Sequence, residues 1–238
     1  MRKAKMLMGF FLLLLSLLAA ARGECADNSL LMEEIRRVLP QIQVKYIEFN
    51  PDLKMYEIMM EGSDALVYVT QDFRYSFVGT VIDIQGRRNL TEERLIDWKR
   101  VDLSDLNFKN GFQITKGKRR VALFVDPNCP YCKKLLGEIK QVPDVDVYVF
   151  LYPILGPESR QKSSAIWNSR DKLKALLSDD PVGTPAGQDP VDENLAFGRQ
   201  HGINSVPTMI MEDGRMLKGF MTASRIESYL SQGTSSKK

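Results

Sequence analysis

The stretch that most constrains this chain runs Val121-Ala122-Leu123-Phe124-Val125-Asp126-Pro127-Asn128-Cys129-Pro130-Tyr131-Cys132. Its unbroken apolar start predicts a buried strand, and the proline and asparagine that follow supply a turn. Leu135, Leu136 and Ile139 then recur at helical spacing, so the two cysteines sit where a strand gives way to a helix. Cys129 falls at the N-cap. Pro130 takes the first helical position, where a missing N–H costs nothing and φ is already suitable. Unsatisfied N–H groups and the helix dipole converge on that end and favour a thiolate over a thiol. Cys129 is therefore the expected nucleophile. Cys132, one turn further in, is placed to attack a mixed disulfide on Cys129 and release the bound substrate.

Other uses of a Cys-x-x-Cys pair fit less well. A structural zinc site wants four ligands, whereas the chain has no second such pair and a single histidine, His201. Attachment of a c-type haem needs His directly after the second cysteine, and Lys133 stands there. An inert disulfide closing so short a loop would constrain the unfolded chain little. Neither a metal nor an organic cofactor is expected.

Arg2, Lys3 and Lys5 precede an apolar run from Met6 to Leu18 that ends in Ala19-Ala20-Ala21. This is the three-part pattern of a secretory signal, residues 1–21, too short for a confident membrane span, with cleavage after Ala21 or Gly23. Cys25 follows Glu24 rather than a small residue, which argues against a lipid anchor. The expected destination is an exported compartment where disulfides persist. The three basic residues of the signal account for the whole formal charge of +3. A neutral remainder has no electrostatic footprint for nucleic acid, and Lys116, Lys118, Arg119 and Arg120 read as a solvated turn before the Val121 strand. One close cysteine pair with an odd Cys25 is not the even, spaced set of a disulfide-stapled scaffold. The pair is thus expected to act on other proteins' thiols. Cys25 is compatible with a free thiol, an intermolecular bridge or no role.

From Ser29 to Leu39 the apolar positions suit one helical face, with Asn28 or Ser29 as cap and Pro40 as stop. Strand-like runs follow near Val44 to Phe49, Lys54 to Met60, Ala65 to Thr70, Tyr75 to Val78 and Thr80 to Ile84, punctuated by turn residues. One helix and an antiparallel meander make a small α+β domain with no clustered groups that suggest chemistry. Met55, Met59 and Met60 read as core or interface, with an adaptable binding surface as the alternative. Asn89 or Thr91 can cap a linker helix with Glu92 and Glu93 in its first turn, carried on by Leu95, Trp98 and Asp102-Leu103.

Beyond the cysteine helix, Val145 to Tyr152 reads as a second central strand. Ser159 to Leu177 is largely helical, residues 180–187 form a loop, and Asp192 to His201 is a further helix. Gly202 to Met211 turns into a strand through Pro207, Asp213-Gly214 makes a hairpin to Met216–Phe220, and Thr222 or Ser224 caps a last helix ending near Leu230. This order resembles a thioredoxin fold. By that resemblance Pro207 is its cis-proline, lying beside Cys129 and presenting the backbone of Val206 to an extended substrate. An ordinary edge-strand proline is the alternative.

The resemblance extends over essentially the whole chain after the signal. Gly79-Thr80-Val81-Ile82-Asp83, Asn89-Leu90-Thr91-Glu92 and the run from Phe124 through Cys129-Pro130-Tyr131-Cys132 to Leu135 are similar to the DsbC/DsbG family of exported disulfide isomerases. The resemblance implies a cystatin-like α+β dimerisation domain at 26–88, a linker helix at 89–107, and at 108–232 a thioredoxin-fold α/β catalytic domain with a helical insertion. It also implies a periplasmic, V-shaped homodimer acting on unfolded or misoxidised exported proteins and kept reduced by a DsbD-like membrane thiol reductase. Cys129 and Cys132 would be catalytic, with Pro130, Tyr131, Val206 and Pro207 contacting substrate.

Three departures from the family pattern stand out. Pro130-Tyr131 resembles the DsbG branch, whereas DsbC has Gly-Tyr. Val206 stands where the family usually has threonine and resembles the oxidase DsbA. Asn168 and Gln188 match the positions of a second, structural disulfide of DsbC, so that bridge cannot form here. Isomerase or reductase is the first functional reading. A DsbA-like oxidase and a chaperone or adaptor for unfolded chains are the alternatives.

Overall fold

The computed structural model describes residues 33, 35, 37, 43–63, 65–178 and 187–235. The expected signal, Cys25, most of the helix expected from Ser29 to Leu39 and all but Gly187 of the loop expected at 180–187 lie outside the described residues, although Glu33, Ile35 and Arg37 are helical and Ile35 is buried. The chain divides into two compact units, 1–92 and 93–238.

The first unit is built on a meander. Strands β1 (Val44–Asn50), β2 (Met55–Met60), β3 (Leu66–Thr70) and β4 (Ser76–Val78) form an antiparallel sheet in sequential order. Ile35, Ile58 and Val69 make its small core, and Met59 is buried too, which favours the core reading of that methionine. The run expected as a fifth strand instead yields a separate ribbon of β5 (Ile82–Asp83) and β6 (Arg88–Asn89). Helix α1 (Leu90–Trp98) follows, with the Asn89 carboxamide oxygen accepting from the Glu92 N–H at 3.0 Å. Asn89 is therefore the cap. Thr91 is buried inside the helix, where its hydroxyl bonds Tyr68 Oη and accepts from the Val81 N–H.

Helix α1 stops at Trp98 rather than running on to Leu103. The Val101 N–H donates to the Gly214 carbonyl at 2.8 Å, and Val101 and Leu106 join the core of the second unit, which pulls the chain out of helical geometry.

That second unit is a five-stranded mixed sheet in the order β11-β10-β8-β9-β7, made of β7 (Phe112–Gln113), β8 (Arg119–Val125), β9 (Val145–Leu151), β10 (Thr208–Met211) and β11 (Met216–Lys218). β8 and β9 are parallel, with Leu123 opposite Val149, and the other pairings are antiparallel. Side chains alternate across the sheet as the two-residue period requires. Val121, Leu123 and Val125 face α2 (Pro130–Ile139) and α6 (Ala223–Ser235), whereas Ala122 and Phe124 face Phe197 of α5 (Val191–Gln200). Burial on both faces is why β8 reads as a continuous apolar run.

Two further differences have one local and one long-range cause. The expected long helix breaks into α3 (Pro157–Trp167) and α4 (Lys172–Leu177), because the Asp171 carboxylate accepts from the Lys174 N–H and restarts the helix. Arg119 and Arg120 are not a solvated turn but the first residues of β8. Arg119 makes a bidentate pair with Glu227, at 2.7 and 2.9 Å, and Arg120 lies over the Phe108 ring.

Candidate active site

The end of β8 delivers the chain to the N-terminus of α2, with both sulfurs free thiols. Cys129 occupies the N-cap with extended backbone, Pro130 follows at the start of the helix, and the Cys132 N–H donates to Cys129 Sγ at 3.2 Å. An N–H aimed at sulfur from the positive end of a helix stabilises negative charge there. Cys132 faces the core and is 1% exposed, against 4% for Cys129. Burial pushes the Cys132 thiol well above its ordinary value, and its hydrogen bond with Cys129 adds to the rise. The backbone N–H of Asp126 acts in the opposite sense but does not offset it.

On the other side stands the loop before β10. The Val206–Pro207 peptide is cis, and the Cys129 thiol lies 3.7 Å from the Val206 carbonyl oxygen, to which it donates. Two bonds fix this loop, from the Gly219 N–H to the Pro207 carbonyl at 2.8 Å and from the Thr208 hydroxyl to the Ser205 carbonyl at 2.7 Å. The fold thus brings Cys129, Cys132, Val206 and Pro207 together across 77 residues of sequence separation between Cys129 and Val206. Pro130 and Tyr131 lie on the exposed shoulder of the turn, Tyr131 being 57% exposed with the Lys134 ammonium over its ring.

Asp126, which the sequence offers only as a capping residue beside the turn, is bonded more extensively than that. Its carboxylate is fully buried and accepts three backbone N–H bonds, from Asn128 at 2.8 Å and from Ile154 and Leu155 at 2.9 Å each. An Asp at a strand end, two residues before the turn asparagine, signals the local bond. Nothing in the sequence signals the other two. Asn128 extends the connection, donating to Ser159 Oγ and accepting from Lys162 Nζ at 2.9 Å each. Gly187 passes close to the end of α3, where a Cβ on it would meet Asn168 Oδ1 at 2.6 Å.

A thioredoxin-type sheet whose Cys-x-x-Cys turn opposes a cis-proline defines the class: a thiol-disulfide oxidoreductase. A family model described as a thioredoxin-like domain matches residues 113–234, and one described as the N-terminal domain of disulfide bond isomerase protein matches residues 22–92. The chain belongs to the DsbC/DsbG family of thiol:disulfide interchange proteins.

A protein of Bordetella avium named "Probable thiol:disulfide interchange protein DsbC" is 31% identical over 187 residues, or 76% of this chain and 67% of its own length. The thiol:disulfide interchange protein DsbC of Salmonella typhimurium is 24% identical over 222 residues, covering 87% of this chain and 88% of its own. The chain spans about two thirds of the length of the Bordetella relatives it matches. A crystal structure of a disulfide interchange protein from Neisseria gonorrhoeae is 32% identical with a TM-score of 0.49, covering 53% of this chain and 97% of that one. Among the described residues no helix is long and apolar enough to cross a membrane.

Proposed function

We propose that this protein isomerises or reduces non-native disulfides in exported proteins, with Cys129 as nucleophile and Cys132 as resolving thiol. The Cys129 thiolate attacks one sulfur of a substrate disulfide. A Cys129–substrate S–S bond forms, the substrate S–S bond breaks, and the second substrate sulfur leaves as a thiolate. In isomerisation another substrate thiolate attacks the mixed disulfide, giving a new substrate disulfide and returning Cys129 with no net electron transfer. In reduction Cys132 loses its proton and attacks Cys129 Sγ, forming Cys129–Cys132 and releasing the substrate sulfur. Two electrons then pass to the substrate, and an external dithiol must restore the pair.

The observation that carries this reading is the unequal seating of the two sulfurs. Cys129 Sγ accepts an N–H at a helix N-cap, whereas burial holds Cys132 protonated. A slow resolving thiol prolongs the mixed disulfide and leaves time for a substrate thiol to act first, which favours isomerisation over reduction.

On the same reading residues 26–88 form a dimerisation domain, 89–107 a linker carrying the helix, and 108–232 the catalytic domain. The working form is a periplasmic homodimer, and a DsbD-like membrane reductase supplies electrons. Pro130, Tyr131, Val206 and Pro207 contact the substrate backbone around Cys129.

The test is repair of scrambled ribonuclease by wild type beside Cys129→Ala. Repair by the wild type and none by the variant is expected; equal repair by both overturns the proposal. Val206 before the cis-proline favours a second reading, a DsbA-like oxidase. Trapping the resting pair by acid quench and alkylation separates the two, since an isomerase rests reduced and an oxidase rests oxidised. Refolding of a thiol-free client by the doubly substituted Cys129→Ser, Cys132→Ser protein would instead identify a chaperone.

A further inference from the structure

We infer that Asp126 is a positioning residue that builds an apolar rim for the substrate beside Cys129, by holding the backbone of Ile154 and Leu155 against the cysteine turn. The inference rests on the exchange chemistry proposed above and adds a sequence preference to it.

A carboxylate removed from water costs several kcal/mol unless its oxygens are bonded. Asp126 is 0% exposed, and each oxygen is taken up by backbone N–H groups. Oδ1 accepts from Asn128, immediately before Cys129, and Oδ2 accepts from both Ile154 and Leu155. The Asp126 carbonyl also accepts from the Cys129 N–H at 3.0 Å. One residue therefore bonds the nucleophile's own turn and a loop 28 and 29 residues further along the chain.

The side chains this loop carries are the unusual part. Tyr152 and Pro153 are buried, yet Ile154 is 37% and Leu155 55% exposed, although their N–H groups are sequestered. On this inference the fixed backbone presents the two aliphatic side chains for contact with the substrate. Because their N–H groups bond the carboxylate that also bonds the turn of Cys129, we place these side chains where they meet apolar residues flanking the cysteine that has become bonded to Cys129.

Asn cannot replace Asp126 without loss. Whichever way the carboxamide turns, its NH2 group faces either the Asn128 N–H or the two loop N–H groups, so a donor meets a donor. Aspartate alone satisfies all three.

The test measures exchange with two peptide disulfides, one flanked by leucine and phenylalanine and one by serine and asparagine. Wild type is expected to favour the apolar peptide through KM, with kcat similar for both. Leu155→Ser, an exposed position whose change leaves folding intact, lowers that preference about fivefold, the share of a leucine's burial set by its exposed half. Asp126→Asn lowers it as far, and adding Leu155→Ser to Asp126→Asn changes it little further, because both act through one loop. A folded Asp126→Asn that keeps the full preference, or a Leu155→Ser that does, overturns the inference. If Asp126→Asn does not fold, Leu155→Ser and Ile154→Ser decide the matter. A wild type that exchanges both peptides equally overturns the rim alone, whereas one that exchanges neither overturns the proposed function beneath it.

Discussion

Gly198→Ala sets two known effects against each other, and the structure decides the sign. Alanine in place of glycine inside α5 raises helix propensity by about 1 kcal/mol, so on helix grounds the variant gains stability. The packing opposes it. A Cβ at Gly198 comes closer than 3.0 Å to the Tyr152 ring and hydroxyl, nearer than real Cβ atoms approach anything. Tyr152 has nowhere to go. It is 2% exposed, stands edge-on to Phe124 at 5.7 Å, and donates from its hydroxyl to the Ile203 carbonyl at 2.8 Å.

Overpacking costs about 1 to 3 kcal/mol, and leaving a buried carbonyl unbonded costs about as much again. After the helix gain is subtracted, the net loss is about 3 kcal/mol, or a fall in Tm of about 9 °C for a unit of this size. Thermal melts followed by circular dichroism measure it. Pairing Gly198→Ala with Tyr152→Leu provides the control, since a smaller side chain makes room and the two losses then fail to add. A Gly198→Ala protein as stable as wild type or more so would refute the packing described for Tyr152, and with it the route by which α5 supports the loop ahead of Pro207.

Other outcomes follow from the site and its supports. Cys129→Ala abolishes repair of a scrambled multi-disulfide protein, while Cys132→Ala accumulates mixed disulfides with substrate on non-reducing gels, since the resolving thiol is gone. Burial alone would raise the Asp189 carboxyl, but bonds from the Ser164 hydroxyl, Arg160 and the Val191 N–H outweigh it and hold it below the usual carboxylate range. Its stabilising effect is therefore present in full above about pH 4 and lost as pH falls through the lower folded value, so Asp189→Asn flattens the acid limb of a stability-against-pH curve. Arg119→Ala, which breaks a partly exposed bidentate pair with Glu227, costs about 1 kcal/mol or less, read from urea midpoints, with little effect on exchange.

What the sequence makes legible here is whatever neighbouring residues decide among themselves. The apolar run of β8, the Pro130 start of α2 and the Asp213-Gly214 hairpin are local signals, and all three appear where expected. The halt of α1 at Trp98 is not local, since it depends on Gly214 accepting a bond from Val101. Strand β7 is two residues long and owes its existence to pairing with β9, so no period could announce it. Thr91 offers the chemistry of a cap but spends it on Tyr68 and Val81. Of the site, Cys129, Cys132 and Pro207 were readable because motif and fold order name them. Asp126 was not, because two of its three donors arrive from beyond another helix and strand.

The inward seat of Cys132 has a kinetic corollary for the exchange chemistry proposed here. Cys132 is the less exposed of the two sulfurs' residues, 1% against 4%, so on the proposed chemistry incoming thiols and disulfides alike meet Cys129. A client and the dithiol that recharges the enzyme must therefore queue for one atom and cannot occupy it together. In the proposed reductive cycle turnover is therefore ping-pong, with an excess of either visitor slowing the other, whereas isomerisation returns Cys129 without a second visitor.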